Sequence, residues 1–123
     1  MNKQSLSNFK VEFGDNQWIG KLNEMIICEF AYEYDPQGNA WLCGAKTEER
    51  FQKKGYGTTM IKAFILEYGK LYFSSASQLE HEQNRGEEDT RYLSSQGVSL
   101  VKKCIMQRIV KEEWLRNPFL SMD

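Results

Sequence analysis

The stretch "FQKKGYGTTMIKAF", residues 51–64, places Gly55 and Gly57 one residue apart directly before an amphipathic run. Glycine at both positions loses conformational entropy on ordering, so the arrangement needs a compensating reason. A helix start leaves several N–H groups without partners and carries a partial positive charge. Small residues there let an anion, most often a phosphate, approach the bare backbone. A tight strand-to-helix turn explains the same residues with no ligand at all, and the fragment alone leaves both readings open.

Upstream of the glycines the pattern is that of strands. "NFKVEF" alternates, with Phe9, Val11 and Phe13 on one side, and "GDN" closes it in a turn. "QWIGKL" reads as a second strand ending at Asn23 and Glu24. In "MIICEFAYEY" the spacing puts Ile26, Cys28, Phe30, Tyr32 and Tyr34 on one face, with Glu29, Ala31 and Glu33 on the other. "DPQGN" is a loop signal, and "AWLCGAKTE" is a fourth strand with Trp41, Cys43 and Ala45 alternating. The first 50 residues therefore predict an antiparallel meander.

Downstream the period changes. Met60, Ile61, Phe64, Ile65 and Tyr68 recur at helical spacing, with Gly69 as the stop. "KLYFSS" follows as a short central strand, which completes a βαβ unit between parallel strands. "SQLEHEQNRGEED" is polar and acidic and reads as an exposed loop. In the last segment Leu100, Val101, Cys104, Ile105, Ile109 and Val110 form one stripe, so residues 99–116 predict a helix ending before Pro118. Ser94 is a possible N-cap for it.

Composition narrows the functional classes. At 123 residues the chain suits one domain with one core, residues 1–123. A net charge of −1 supplies no general attraction to nucleic acid or to an anionic membrane. No apolar run approaches the roughly 20 residues of a membrane span, and residues 1–10 lack the apolar core of a signal peptide, so a cytoplasmic setting is expected. Cys28, Cys43 and Cys104 are odd in number and sit inside apolar patterns, which favours buried free thiols over disulfides or a metal site. With one histidine, His81, no multi-histidine metal site is expected.

A strand, then Gln52-x-x-Gly55-x-Gly57, then a helix resembles motif A of the GNAT superfamily of acyl-CoA-dependent N-acetyltransferases, whose pattern is Arg/Gln-x-x-Gly-x-Gly/Ala. The lead-in "TEERFQKKGYG" and the helix after Thr58 and Thr59 extend the resemblance over residues 25–75. It implies an α/β fold in which an antiparallel meander leads into a βαβ unit with splayed central strands and a C-terminal helix. It also implies acetyl-CoA as cofactor and acyl transfer to a small-molecule or peptide amine by direct attack. The residues carried over for coenzyme A are Gln52, Lys53, Lys54, Gly55, Tyr56, Gly57, Thr58 and Thr59. Backbone N–H groups from Lys53 to Thr58 suit the pyrophosphate, the two lysines add charge, and Thr58 or Thr59 can add a hydroxyl. A solvated loop is the ordinary alternative for the lysines. No Gly-Lys-Ser/Thr follows, which excludes a P-loop, and a third glycine for a dinucleotide fingerprint is missing.

The implied splay lies between strands ending near Thr47 and Phe73, with Gly44 marking either a β-bulge or close packing under the helix. Three departures stand beside the resemblance. "VEFGDNQWIG" has no room for the two helices that commonly build the acceptor pocket, so that pocket is open or is completed by a homodimer or protein partner. In "RYLSSQGV" the family's thiolate-protonating tyrosine is matched by Leu93, and Tyr92 stands one position early; a core or interface role is expected for Tyr92, with its hydroxyl dispensable. The helical reading of residues 99–116 replaces the family's final strands. For the proton of the attacking amine, Glu48, Glu49 and His81 are the available bases, and each reads as a surface residue. No catalytic residue follows from the sequence. A reduced GNAT-like module that binds a protein partner without catalysis is the alternative function.

Overall fold

The computed structural model describes residues 8–86 and 91–119. The reading of a leaderless start rests mainly on residues 1–7 and the acidic end of the predicted loop on residues 87–89, and both lie outside the described residues.

Four strands, β1 (Phe9–Gly14), β2 (Gln17–Leu22), β3 (Met25–Tyr34) and β4 (Ala40–Thr47), form an antiparallel sheet in that order. The turns follow from their residues. Asn23 and Glu24, at φ 51° and 70°, make the two-residue hairpin between Leu22 and Met25, the positive-φ pair that suits right-twisted strands. Between β3 and β4 the Asp35 carboxylate accepts from the N–H groups of Gln37 and Asn39, both at 2.9 Å, an Asx-type closure.

Two bulges modify the alternation. Gly20 pairs with Cys28 and Lys21 with Ile26, so Ile27 is an extra residue in β3. The extra residue resets which side chains point inward. Ile27 and Cys28 are both buried and Ile26 is 41% exposed, which corrects the placement of Ile26 on the inner face; Tyr34, at the strand's end, is also exposed. The second bulge is in β4. Ala31 pairs with Gly44 and Tyr32 with Leu42, leaving Cys43 as the inserted residue beside Gly44.

Helix α1 (Tyr56–Tyr68) ends at Gly69, whose φ of 94° and bond to the Ile65 carbonyl close the last turn. Its buried residues Tyr56, Met60, Ile61 and Phe64 pack on the sheet. Trp18, fully buried on β2, stacks on Phe64 at 4.7 Å and donates its indole N–H to the Met60 carbonyl at 2.9 Å. Gly20 is where sheet and helix come closest: a Cβ there would lie 2.3 Å from the Phe9 ring and 2.9 Å from the Met60 sulfur.

After α1 the chain forms β5 (Phe73–Ser74), which pairs in parallel with β6 (Leu115–Arg116). Tyr72 connects β5 to β4 by a parallel bridge to Trp41, its carbonyl accepting from Leu42 and its N–H donating to Ala40. The short strand after α1 is therefore central, flanked by β4 and β6.

The C-terminal half differs from expectation in two places. Residues within the predicted loop form helix α2 (Gln78–Arg85), started by a capping box: Ser77 Oγ accepts from Glu80 N–H at 3.1 Å, and Glu80 accepts from Ser77 N–H at 3.0 Å. His81 on this helix is fully buried, with Nε2 2.7 Å from Ser74 Oγ, and is no surface residue. The last helix, α3, spans Ser95–Met106, with Ser94 as N-cap, and is shorter than residues 99–116. Arg108 adopts φ 62°, Ile109 and Val110 bond back to the Cys104 carbonyl, and Val110 enters the core. The chain then turns through Glu112–Trp114 into β6, so a strand follows the helix after all.

The Ser74–His81 pair generates a stability prediction. Ser74 Oγ also accepts from Ala76 N–H at 3.0 Å. Ser74→Ala removes both buried hydrogen bonds and should destabilise the fold by about 1–3 kcal/mol. Urea unfolding should show a lower midpoint with an unchanged m-value, and a shift below about 0.5 kcal/mol would show that the pair is not structural.

Candidate functional site

The start of α1 is built without a side-chain cap. Gly55 is the N-cap at φ 93°, in the left-handed region, and it has no side chain to accept from the first N–H groups of the helix. Lys53, two residues earlier, is also left-handed at φ 63°, a sparsely populated conformation for a residue with a Cβ. The first intrahelical bond runs from Thr59 N–H to the Gly55 carbonyl, so the amides of Tyr56, Gly57 and Thr58 precede the ladder.

This helix start opens onto a cavity of about 470 Å³. Gly55, Gly57, Thr58, Lys53 and Gln52 form one wall. Ser95, Gln96 and Gly97, the first turn of α3, form another, together with Lys103. Two helix N-termini thus border the same space, along with two lysines. No carboxylate lines it among the described residues. The local potential is positive from backbone and side chains alike, although the whole chain is slightly acidic.

The eight residues expected at a coenzyme site divide. Gln52, Lys53, Gly55, Gly57 and Thr58 line the cavity, whereas Lys54, Tyr56 and Thr59 do not. Lys54 is exposed to solvent. Tyr56 is buried against Phe9 at 4.8 Å, and Thr59 Oγ1 donates to the Gly55 carbonyl at 2.9 Å. Gln52 reaches the cavity but its Nε2 is engaged by the Thr47 carbonyl at 3.0 Å, so it braces the strand end. The two glycines have different reasons. Gly55 supplies the backbone angle, while a Cβ on Gly57 would lie 3.2 Å from Leu100 of α3.

A second cavity of about 250 Å³ lies along the bulged part of β4, between Leu42–Ala45 and the segment Tyr92, Leu93, Ser94 and Gly97. It shares Ala45 and Gly97 with the first. Among the described residues, no backbone hydrogen bond joins β4 to β5 beyond Leu42, so this side of β4 faces the cavity. Sequence reasoning located Gly44 as a bulge signal, but not Ser95, Gln96, Gly97, Ser99 or Lys103, which reach the site only through packing of α3 on α1.

Tyr92 and Leu93 precede the Ser94 cap and are not helical. Both line the smaller cavity, and the Tyr92 ring lies 6.0 Å from the ring of the buried His81. Glu48 and Glu49 are exposed at the end of β4 and His81 is buried beneath α2, and none of the three lines either cavity. Among the described residues no cluster of His, Cys, Asp and Glu could hold a metal ion, and no helix is long and apolar enough to cross a membrane.

The thiols also divide. Cys28 and Cys104 are fully buried. Burial pushes the Cys28 thiol up, against the lowering contact with Thr47. It pushes Cys104 up to about 11, against a hydrogen bond with Thr58. Cys43 is half-buried and lines the smaller cavity, which corrects the expectation of three buried thiols. No protein-family model and no curated protein sequence matches the chain.

Thiol labelling checks this arrangement. A small maleimide should modify Cys43 first in native protein, and Cys28 and Cys104 only after denaturation, because deprotonation and access are both suppressed by burial. Equal rates at all three would contradict the packing of β3 and α3.

Proposed function

We propose that the chain is an acyl-CoA-dependent N-acetyltransferase of the GNAT type, transferring an acetyl group from acetyl-CoA to an amine. One observation carries this reading: the cavity at the uncapped start of α1 and the cavity at the β4 bulge have Ala45 and Gly97 as common wall residues. A helix start suited to an anion thereby lies beside the bulged stretch of strand backbone.

In this reading the amides at the start of α1, with Lys53 and Lys103, hold the pyrophosphate, where helix dipole and charge act together. Ala45 and Gly97 are small and leave width for a pantetheine arm. The β4 backbone beside Cys43 and Gly44 polarises the carbonyl under attack. Bound acetyl-CoA supplies an activated thioester; nitrogen attack forms the C–N bond and breaks the C–S bond. Tyr92, on the wall of the bulge cavity, returns a proton to the departing sulfur. The proton of the amine leaves through water, since no carboxylate or imidazole lines either cavity among the described residues. That same feature favours the second reading, a module that binds coenzyme A or a protein partner without turnover.

Two variants test the proposal. Lys53→Glu with Lys103→Glu reverses charge on both walls at exposed positions, and calorimetric affinity for coenzyme A should fall by about tenfold, or about 1.4 kcal/mol. Unchanged affinity in the folded double variant sinks the groove assignment. Tyr92→Phe keeps the ring and removes the donor, so turnover should fall about 10²-fold with coenzyme affinity unchanged. A change within about threefold would return the proton transfer to water and remove Tyr92 from the mechanism.

A further inference from the structure

At the margin of the four-stranded sheet away from β4, strand β1 has no neighbour on its outer side among the described residues. Protein edges are commonly broken by a proline, a bulge or a very short strand. β1 runs six residues, FKVEFG, without a proline and in unbroken register with β2. Its backbone can therefore accept a further strand.

The ladder decides which residues would make that pairing. The Asn8 carbonyl accepts from the Asn23 N–H on the β2 side, one step beyond the Phe9–Leu22 pair. In an antiparallel ladder alternate residues turn their N–H and C=O groups to the same neighbour. Lys10 and Glu12 thus bond toward β2, while Phe9, Val11 and Phe13 turn their peptide groups outward. The side chains of these three residues are each half-buried. Helix α1 lies mainly over β2, β3 and β4 and reaches β1 through Tyr56 against Phe9 and Tyr68 against Phe13. Part of this apolar row stays open to solvent.

The other face of β1 carries charge. Lys10 stands across from Lys21, and Glu12, with its side chain 54% exposed, reaches Lys21 diagonally at 3.2 Å. One carboxylate serves this pair of lysines, and Lys10 has no ion pair among the described residues. A lysine and a glutamate on either side of Val11 make the strand self-complementary. Laid antiparallel against a second β1 with the two-fold axis at Val11, Lys10 of each copy falls opposite Glu12 of the other. These are non-hydrogen-bonded positions, where cross-strand side chains stand closest. The outward peptide groups of Phe9, Val11 and Phe13 meet one another in that same register. Slipping the register by two residues opposes Glu12 to Glu12 or Lys10 to Lys10, which like charge disfavours.

We propose that β1 is a homodimer interface, in which two copies of this chain pair their β1 strands antiparallel about Val11 and join their sheets into one. The two apolar rows then run on into each other, with Phe9 beside Phe13 of the second copy. The contact is a single strand pair and small, so the dimer forms and dissociates with concentration. It uses the opposite edge of the sheet from the glycine groove and stands whether or not acyl transfer occurs there.

Sedimentation equilibrium of the intact chain over a range of concentrations, with amide hydrogen exchange at each, tests the interface. A monomer–dimer equilibrium is expected, and the amides of Phe9, Val11 and Phe13 should gain protection as the dimer fills. Glu12→Lys alone and Lys10→Glu alone should each weaken the dimer at least about tenfold. An equimolar mixture of the two variants should form a heterodimer about as tightly as the parent associates, because every facing pair is again of opposite charge. That mixture also shows that both variants are folded. A chain that stays monomeric overturns the proposal: outward amides that exchange freely leave the edge to a strand from a different protein, and amides already protected in the monomer show an edge covered within the chain. A dimer that both charge variants retain, or that leaves those three amides unprotected, uses another face and overturns it equally. So does a mixture that fails to associate.

Discussion

Both hydrogen bonds that join β4 to β5 belong to one residue, Tyr72. The strands are parallel neighbours at that end, and the bulge at Cys43 follows the last bond directly. A bulge bends its strand and increases the local twist. Beyond Leu42 the edge of β4 is turned toward the segment 92–97 rather than toward β5. The groove that receives the α1 and α3 N-termini exists because of this incomplete pairing. At the joined end the Trp41 and Tyr72 rings meet, and a cavity whose lining includes Arg85, Arg91 and Arg116 lies beside them. One strand contact with a bulge beside it therefore separates two chemically unlike recesses.

Neither recess could be held open by the strands themselves. The sheet is braced by α1, which packs on it through Phe64, Met60 and Ile61. The bond from the Trp18 indole to the Met60 carbonyl fixes the helix along its own axis as well as against the sheet, since a buried indole N–H without a partner would carry a desolvation penalty. The glycine turn at residues 55–57 is thus positioned by contacts made further along the helix, while Leu100 packs where Gly57 lacks a Cβ.

Much of the fold was legible. The alternation of β1 to β4 and the helical period after Gly57 gave the meander and the βαβ unit with their bounds nearly correct. The Ile27 bulge was not legible, because Ile26 and Ile27 are the same residue type and nothing in the pattern says which is inserted. Helix α2 was missed because it buries His81 and exposes nearly all else, so no apolar period exists; the Ser77–Glu80 capping pair was the available signal. The end of α3 was missed because Ile109 and Val110 continue the stripe and the left-handed residue is Arg108 instead of a glycine. At the site, the motif located Gly55, Gly57 and Thr58, but the α3 wall depends on how two helices pack. The cavity beside Trp41 and Tyr72 gathers Arg85, Arg91 and Arg116 from three separate segments, and no local spacing reports that.

The gap over Gly20 bears on the order in which the chain can assemble. Phe9 lies over Gly20 of β2 and against Tyr56 of α1, and Trp18 waits for the same helix. The receptacle for the first strand is therefore incomplete until residues near 60 have been made. During synthesis from the N-terminus, at about 5–20 residues per second, β1 and β2 emerge as a hairpin whose inward rings have nothing to pack against for several seconds. A two-stranded ribbon is marginal in water by itself. Two strands translated before α1 are thus bound to become stable only after it, and their lasting order arrives with that helix.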